Sequence, residues 1–173
     1  MDDRTDESLF GADDAPAAPP SAYRVLARKY RPTRFEDLIG QEPMVRTLSN
    51  AFERGRIAQA YMLTGVRGVG KTTTARIIAR ALNYQTEDGS VAGPTLVMPG
   101  LGIHCPEILD SRHVDVLEMD AASNTGIDNI REIIEAVRYK PSSARYKVYI
   151  VDEVHMLSKA GVEDLGAMDT KPR

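Results

Sequence analysis

Eight residues, Gly65, Val66, Arg67, Gly68, Val69, Gly70, Lys71 and Thr72, fit the pattern G-x-x-x-x-G-K-[ST] and directly follow the apolar residues Ala60, Tyr61, Met62 and Leu63. Such a loop constrains the fold around it, because it is built between a strand and a helix. Its glycines let the backbone curl tightly and turn successive N–H groups inward with no Cβ in the way. Lys71 adds a compact cation, Thr72 offers a hydroxyl to Mg²⁺, and the helix opening there points its positive end at an anion. These features converge on a nucleoside triphosphate, held by the eight loop residues and by Thr73. The plainer alternative is a chance Gly-rich turn. The Arg67 side chain reads as solvated.

At 173 residues the chain is long enough for one domain with a core. Its 42% hydrophobic and 27% charged content is that of an ordinary globular protein. No apolar stretch is long enough to cross a bilayer, so a membrane role is not indicated. The acidic N-terminus lacks the order of a secretory signal and a single cysteine can form no internal disulfide, which points to the cytoplasm.

Residues 1–21 hold six acids, one base and a run of Ala and Pro. A leader of that composition buries too little apolar surface to offset the entropy of ordering and is expected to be disordered. A domain begins near Tyr23, with a basic, aromatic segment up to Pro32 that reads either as solvated surface or as part of the site. Val45, Leu48 and Phe52 predict a helix over 42–54 with Pro43 in its first turn and Gly55 as its stop. A first strand is predicted at 61–64, and after the loop a helix over 72–83 with Ala75, Ile78, Ala79 and Leu82 on one face. Residues 84–110 are rich in Gly and Pro and read as an insertion rather than a core element. A second strand is expected at 114–119, where apolar and acidic residues alternate. A helix over 126–139 carries Ile127, Ile130, Ile134 and Val137 on one face, and a third strand follows at 147–151.

That third strand ends in Asp152 and Glu153. Asp152 at the carboxyl end of a buried strand is suited to the Mg²⁺ shell that Thr72 completes, and Glu153 to orienting the water that attacks the γ-phosphorus. Taken alone, acids at a strand end also simply mark its exit to solvent. Lys71 and Glu153 are the candidate catalytic residues.

Several segments together resemble the bacterial DNA polymerase III gamma/tau family of clamp-loader ATPases: residues 26–32, 35–41, 64–72, Asp120-Ala121-Ala122-Ser123, and 151–157. The resemblance runs from about Tyr23 to Gly161. It implies an α/β fold of the P-loop AAA+ type, a parallel sheet flanked by helices. It further implies a role in a DNA-directed DNA polymerase holoenzyme, loading a sliding clamp onto primed DNA beside other clamp-loader subunits, with residues 23–41 helping to enclose the adenine. On this basis residues 22–161 form a partial AAA+ domain and 162–173 a divergent tail.

Two departures from the family stand out. Its members carry four cysteines for a structural zinc in the insertion; here those positions hold Tyr84, Pro99, Gly102 and Cys105. One thiolate cannot build a closed tetrahedral site and His104 adds at most one ligand, so zinc is expected to be absent and Cys105 to serve as a small hydrophobe. After Gly161 the sequence leaves the family pattern before the sensor strand, which in the AAA+ order lies between the loop's strand and the Asp-Glu strand. Both strands are then expected to lack their shared neighbour.

Three functions remain open: an ATPase subunit, a truncated nucleotide-binding fragment acting in assembly without turnover, and another AAA+ remodeller. No zinc finger or helix-turn-helix pattern supports direct reading of DNA.

Overall fold

In the computed structural model, residues 30–123, 133 and 135–157 are described. The expected leader, most of the helix at 126–139 and the tail at 162–173 lie outside them. The described residues form a small α/β arrangement.

Helix α1 (Glu42–Glu53) starts with Pro43 in its first turn, where a missing N–H costs no helical hydrogen bond. It ends as the sequence predicts. Gly55 sits in the left-handed region at φ 62°, its N–H donates to Phe52 O at 3.0 Å, and Arg56 N–H donates to Ala51 O at 2.8 Å. This pair of reversed bonds is a Schellman stop, which satisfies carbonyls the helix end would otherwise orphan. Helix α2 (Lys71–Leu82) follows the glycine loop, and a short α3 (Cys105–Leu109) lies inside the insertion.

Strands β1 (Val116–Asp120) and β2 (Val148–Asp152) pair in parallel, with Val116 opposite Val148 and Asp120 opposite Asp152. The register brings both aspartates to the same end of the sheet. Asn83, just past α2, ties the approach to β2 in place: its amide donates to Tyr146 O at 2.9 Å and its carbonyl accepts Tyr146 N–H at 2.7 Å.

Three apolar clusters hold these elements. Ile77, Ile78, Ala81 and Leu82 of α2 pack with Phe35, Leu38 and Leu48 on one side. Ala79 meets Ile108, Val116 and Ile150 on another, and Ala121 packs with Leu157 beneath the end of β2. The second half of α2 is therefore buried almost all round, wider than the single face its spacing predicts.

Two expectations are corrected. Residues 61–64 form no strand: they have no regular secondary structure, Met62 is 74% exposed, and among the described residues β2 pairs only with β1. A strand is made by its neighbour, and without one its N–H and C=O groups gain nothing over water. The insertion, in turn, does belong to the core. Tyr84, Met98 and Cys105 are buried in the same cluster as Phe35 and Leu48. Composition concealed this, because turns and core residues alternate there without a period.

Candidate functional site

The glycine loop takes a shape that L-residues with side chains resist. Gly65, Gly68 and Gly70 have φ of 147°, 84° and 98°, and Gly70 is the cap from which α2 starts. Val66 and Arg67 are exposed at the loop's tip. A Cβ on Gly65 would stand 3.2 Å from Val69 Cγ1, tighter than ordinary contact.

Lys71 reaches back over the loop, its Nζ donating to Gly65 O at 2.9 Å and Val66 O at 3.1 Å. Its ammonium thus lies within the loop's own curve, where the positive end of α2 also points. Gln41, the residue ahead of α1, braces the loop from behind. Its Nε2 donates to Val69 O and its Oε1 accepts from the Thr74 hydroxyl, both at 3.4 Å. Thr73 is half-buried on the first turn of α2.

Loop and sheet meet at Thr72. The Thr72 hydroxyl donates to Asp152 Oδ2 at 2.8 Å across 80 residues of sequence. The other oxygen of that carboxylate accepts the Glu153 N–H at 3.0 Å. A hydroxyl beside a carboxylate is a hard-oxygen donor pair, the kind that suits Mg²⁺.

Glu153 has the left-handed backbone φ 50°, ψ 40°, uncommon for a residue with a side chain. Its carboxylate is turned outward, 45% exposed, with His155 Nδ1 at 3.4 Å. Strain of this sort persists where the surroundings over-determine it and gathers at working sites.

Beyond the carboxyl ends of the strands is a cleft lined by Ser111, Glu118, Met119, Asp120 and Asp152. Asp120 accepts from the Ser123 hydroxyl at 2.8 Å and from Ala122 N–H at 2.9 Å, and these bonds hold its carboxyl below the usual range. Arg76 of α2 grips Glu118 with two bonds, at 2.9 and 2.6 Å. Burial pushes Glu118 up, but the bonds from Arg76 and Ser111 together with the Arg76 charge more than offset it, and the carboxyl is lowered.

Of the residues singled out in the sequence, Lys71, Thr72 and Asp152 are brought together with the loop. Glu153 sits beside them facing solvent, and Cys105 is remote from them in the core. The sequence singles out neither Asp120 nor His155 as a candidate site residue, and Gln41 only as the end of the 23–41 segment that the resemblance places at the adenine. All three lie in segments that carried the family resemblance, but nothing local in the sequence announces a contact such as that of Gln41 with Val69, 28 residues away.

Comparisons with known proteins show what the chain is similar to. A family profile described as "DNA polymerase III, delta subunit" matches residues 40–165. DNA polymerase III subunit tau of Escherichia coli (strain K12) is 46% identical over 80% of this chain and 20% of its own length. Subunit tau of Bacillus subtilis (strain 168) is 45% identical over 79% of this chain and 23% of its own. Subunit gamma of Buchnera aphidicola subsp. Acyrthosiphon pisum is 45% identical over 79% of this chain and 36% of its own. The chain thus spans about a fifth to a third of the length of these relatives. Among the described residues no helix is long and apolar enough to cross a membrane. The chain belongs to the DNA polymerase III, delta subunit family, in which its relatives are bacterial tau and gamma subunits.

Proposed function

We propose that this chain is an ATP-binding clamp-loader subunit of P-loop AAA+ type. It acts in the cytoplasm within the polymerase III holoenzyme, coupling ATP hydrolysis to placing the sliding clamp on primed DNA beside other clamp-loader subunits. The observation that carries this reading is the Thr72–Asp152 hydrogen bond, which joins the phosphate-loop hydroxyl to the strand-end carboxylate.

Residues 65–73 take the triphosphate. The backbone of the glycine loop encloses phosphate oxygens, and Lys71 exchanges the Gly65 and Val66 carbonyls for β- and γ-phosphate oxygens. Thr72 and Asp152 would hold Mg²⁺, which when bound neutralises charge building on the transferred phosphoryl group. Glu153 orients the attacking water and accepts its proton, while Gln41 keeps the loop in register with α1. Such positioning and charge compensation make up most of what phosphoryl transfer asks of a protein.

Titration of the purified chain with a fluorescent ATP analogue in the presence of Mg²⁺ is expected to give saturable binding; none would remove the reading. Glu153→Gln is expected to keep that affinity within about threefold and to lower turnover by about 10² or more. Hydrolysis surviving the change would show that another group acts as base. An arginine supplied by a neighbour can contribute about 10³ or more to the rate, so turnover is to be measured in the assembled clamp loader as well. Binding with no turnover in either setting would favour a role in assembly alone.

A further inference from the structure

We propose that a buried tyrosine, and not a metal ion, cross-links the insertion of this chain. Of the four positions that the gamma/tau resemblance assigns to zinc ligands, 84 and 102 lie against each other here, and Cys105 shares an apolar cluster with Tyr84. Tyr84 is 1% exposed, and its hydroxyl lies 3.3 Å from both the N–H and the carbonyl of Gly100, next to Pro99. The ring edge lies against Gly102: a Cβ built there would meet Tyr84 Cδ2 and Cε2 at 3.1 Å and the Gln85 carbonyl at 2.6 Å. Cys105, 1% exposed, packs in the same apolar cluster with Met98.

The donors at hand do not fit zinc. Cys105 is the only thiol in the sequence. Of the neighbouring histidines, His113 has both ring nitrogens engaged: Nδ1 accepts the Asp115 N–H at 3.0 Å, so in the neutral ring Nε2 carries the hydrogen and donates to His104 Nδ1 at 2.9 Å, which leaves His104 Nε2 to add one donor at most. Among the described residues no three His, Cys, Asp or Glu side chains gather in a metal-binding group. A closed zinc site needs four donors, deprotonated and convergent.

Gly102 and Tyr84 form a matched pair. A thiol side chain at 102 would drive its Cβ into the Gln85 carbonyl and the ring, whereas glycine lets both approach. The close approach is fixed by Ile103 N–H donating to Gln85 O at 2.9 Å and by Cys105 N–H donating to Gly102 O at 3.0 Å. The bulk of the tyrosine and the missing side chain of the glycine thus replace two ligands at once. Apolar packing then does what a metal would do, and the insertion keeps its place regardless of zinc supply or thiol oxidation.

The test uses the full chain purified without chelator, its metal content measured by mass spectrometry and its thermal unfolding followed with and without excess EDTA. Zinc well below one per chain and an unshifted Tm are expected. Tyr84→Ala is expected to lower Tm by about 10 °C, and Tyr84→Phe, which keeps the ring, by about 3 °C. Should Tyr84→Ala not fold, Gly102→Ala reads the same pair and is expected to lower Tm by several degrees. Stoichiometric zinc, a Tm lowered by EDTA, or unchanged Tm in Tyr84→Ala or Gly102→Ala would each overturn the proposal. None of these readouts depends on nucleotide binding, so failure here leaves the proposed function untouched.

Discussion

Lys71→Ala is expected to weaken Mg·ATP binding by about 100-fold. The ammonium already makes two hydrogen bonds to loop carbonyls, at 2.9 and 3.1 Å, so the cation is held in place before any phosphate arrives. A hydrogen bond involving a charged group contributes about 1.5–3 kcal/mol, and losing about 3 kcal/mol corresponds to roughly two decades of affinity. Gly65 O and Val66 O lose a partner as well, which loosens the loop that must close on the ligand. Lys71→Arg is not a rescue, since a planar, forked guanidinium does not fit where a compact ammonium points into a tight turn. The Tm of both variants should stay within about 3 °C of the parent, because Lys71 is only half-buried and sits outside the apolar clusters. Titration calorimetry checks the affinity. A loss smaller than about threefold would mean that the lysine stays on its own carbonyls and takes no part in binding.

This outcome depends on parts of the molecule that differ in how openly the sequence declares them. The loop, α1 with its glycine stop, and β2 are local: spacing, turn chemistry and β-branched residues specify each within a dozen positions. The pairing of Thr72 with Asp152 was legible as well, because the two motifs define each other. What stayed hidden depends on partners distant in sequence. Residues 61–64 have a strand's composition but no strand beside them, and Met62 lies exposed. Tyr84 looks like any aromatic in a Gly-rich stretch until Gly102 lets its ring in. The strand expected at 114–119 begins only at Val116, and in the turn before it Val114 is 59% exposed while Asp115 is 1% exposed. Hydrophobic periodicity reports which face is apolar and has no way of reporting a carboxylate with its own set of donors.

Replacing that carboxylate is expected to give a stability loss as large as that of Tyr84→Ala. Asp115 accepts the N–H groups of Ser142 at 2.7 Å, Ser143 at 2.7 Å and Ala144 at 2.8 Å, together with the Ser143 hydroxyl at 3.1 Å. Burial alone would raise its pKa, but these donors outweigh it and hold the group at about 2, below the 3.8 of an ordinary aspartate. Asp115→Ala leaves the donors without an acceptor; water reaches exposed Ser142 and Ser143, whereas Ala144 is buried. At about 1–3 kcal/mol per orphaned group, the loss is about 3 kcal/mol, or a Tm about 6–12 °C lower in a chain of this size.

The pH dependence has a definite sign. A carboxyl whose folded pKa lies below its unfolded one contributes stability above about pH 4 and loses it as the pH falls toward 2, about 2 kcal/mol in all. Asp115→Asn should therefore be less stable than the parent at pH 7, and the gap should narrow on acidification between pH 4 and 2 in urea unfolding followed by circular dichroism. A constant gap would mean that the contribution is one of shape and not of charge. The same residue also acts on the site at a distance. Its carbonyl accepts Val148 N–H at 2.8 Å, the bond from which β2 sets out toward Asp152. Loosening residues 142–144 lets that strand shift against α2, so Asp115→Ala should also weaken Mg·ATP binding through the Thr72–Asp152 contact, with no change to any residue that touches the nucleotide.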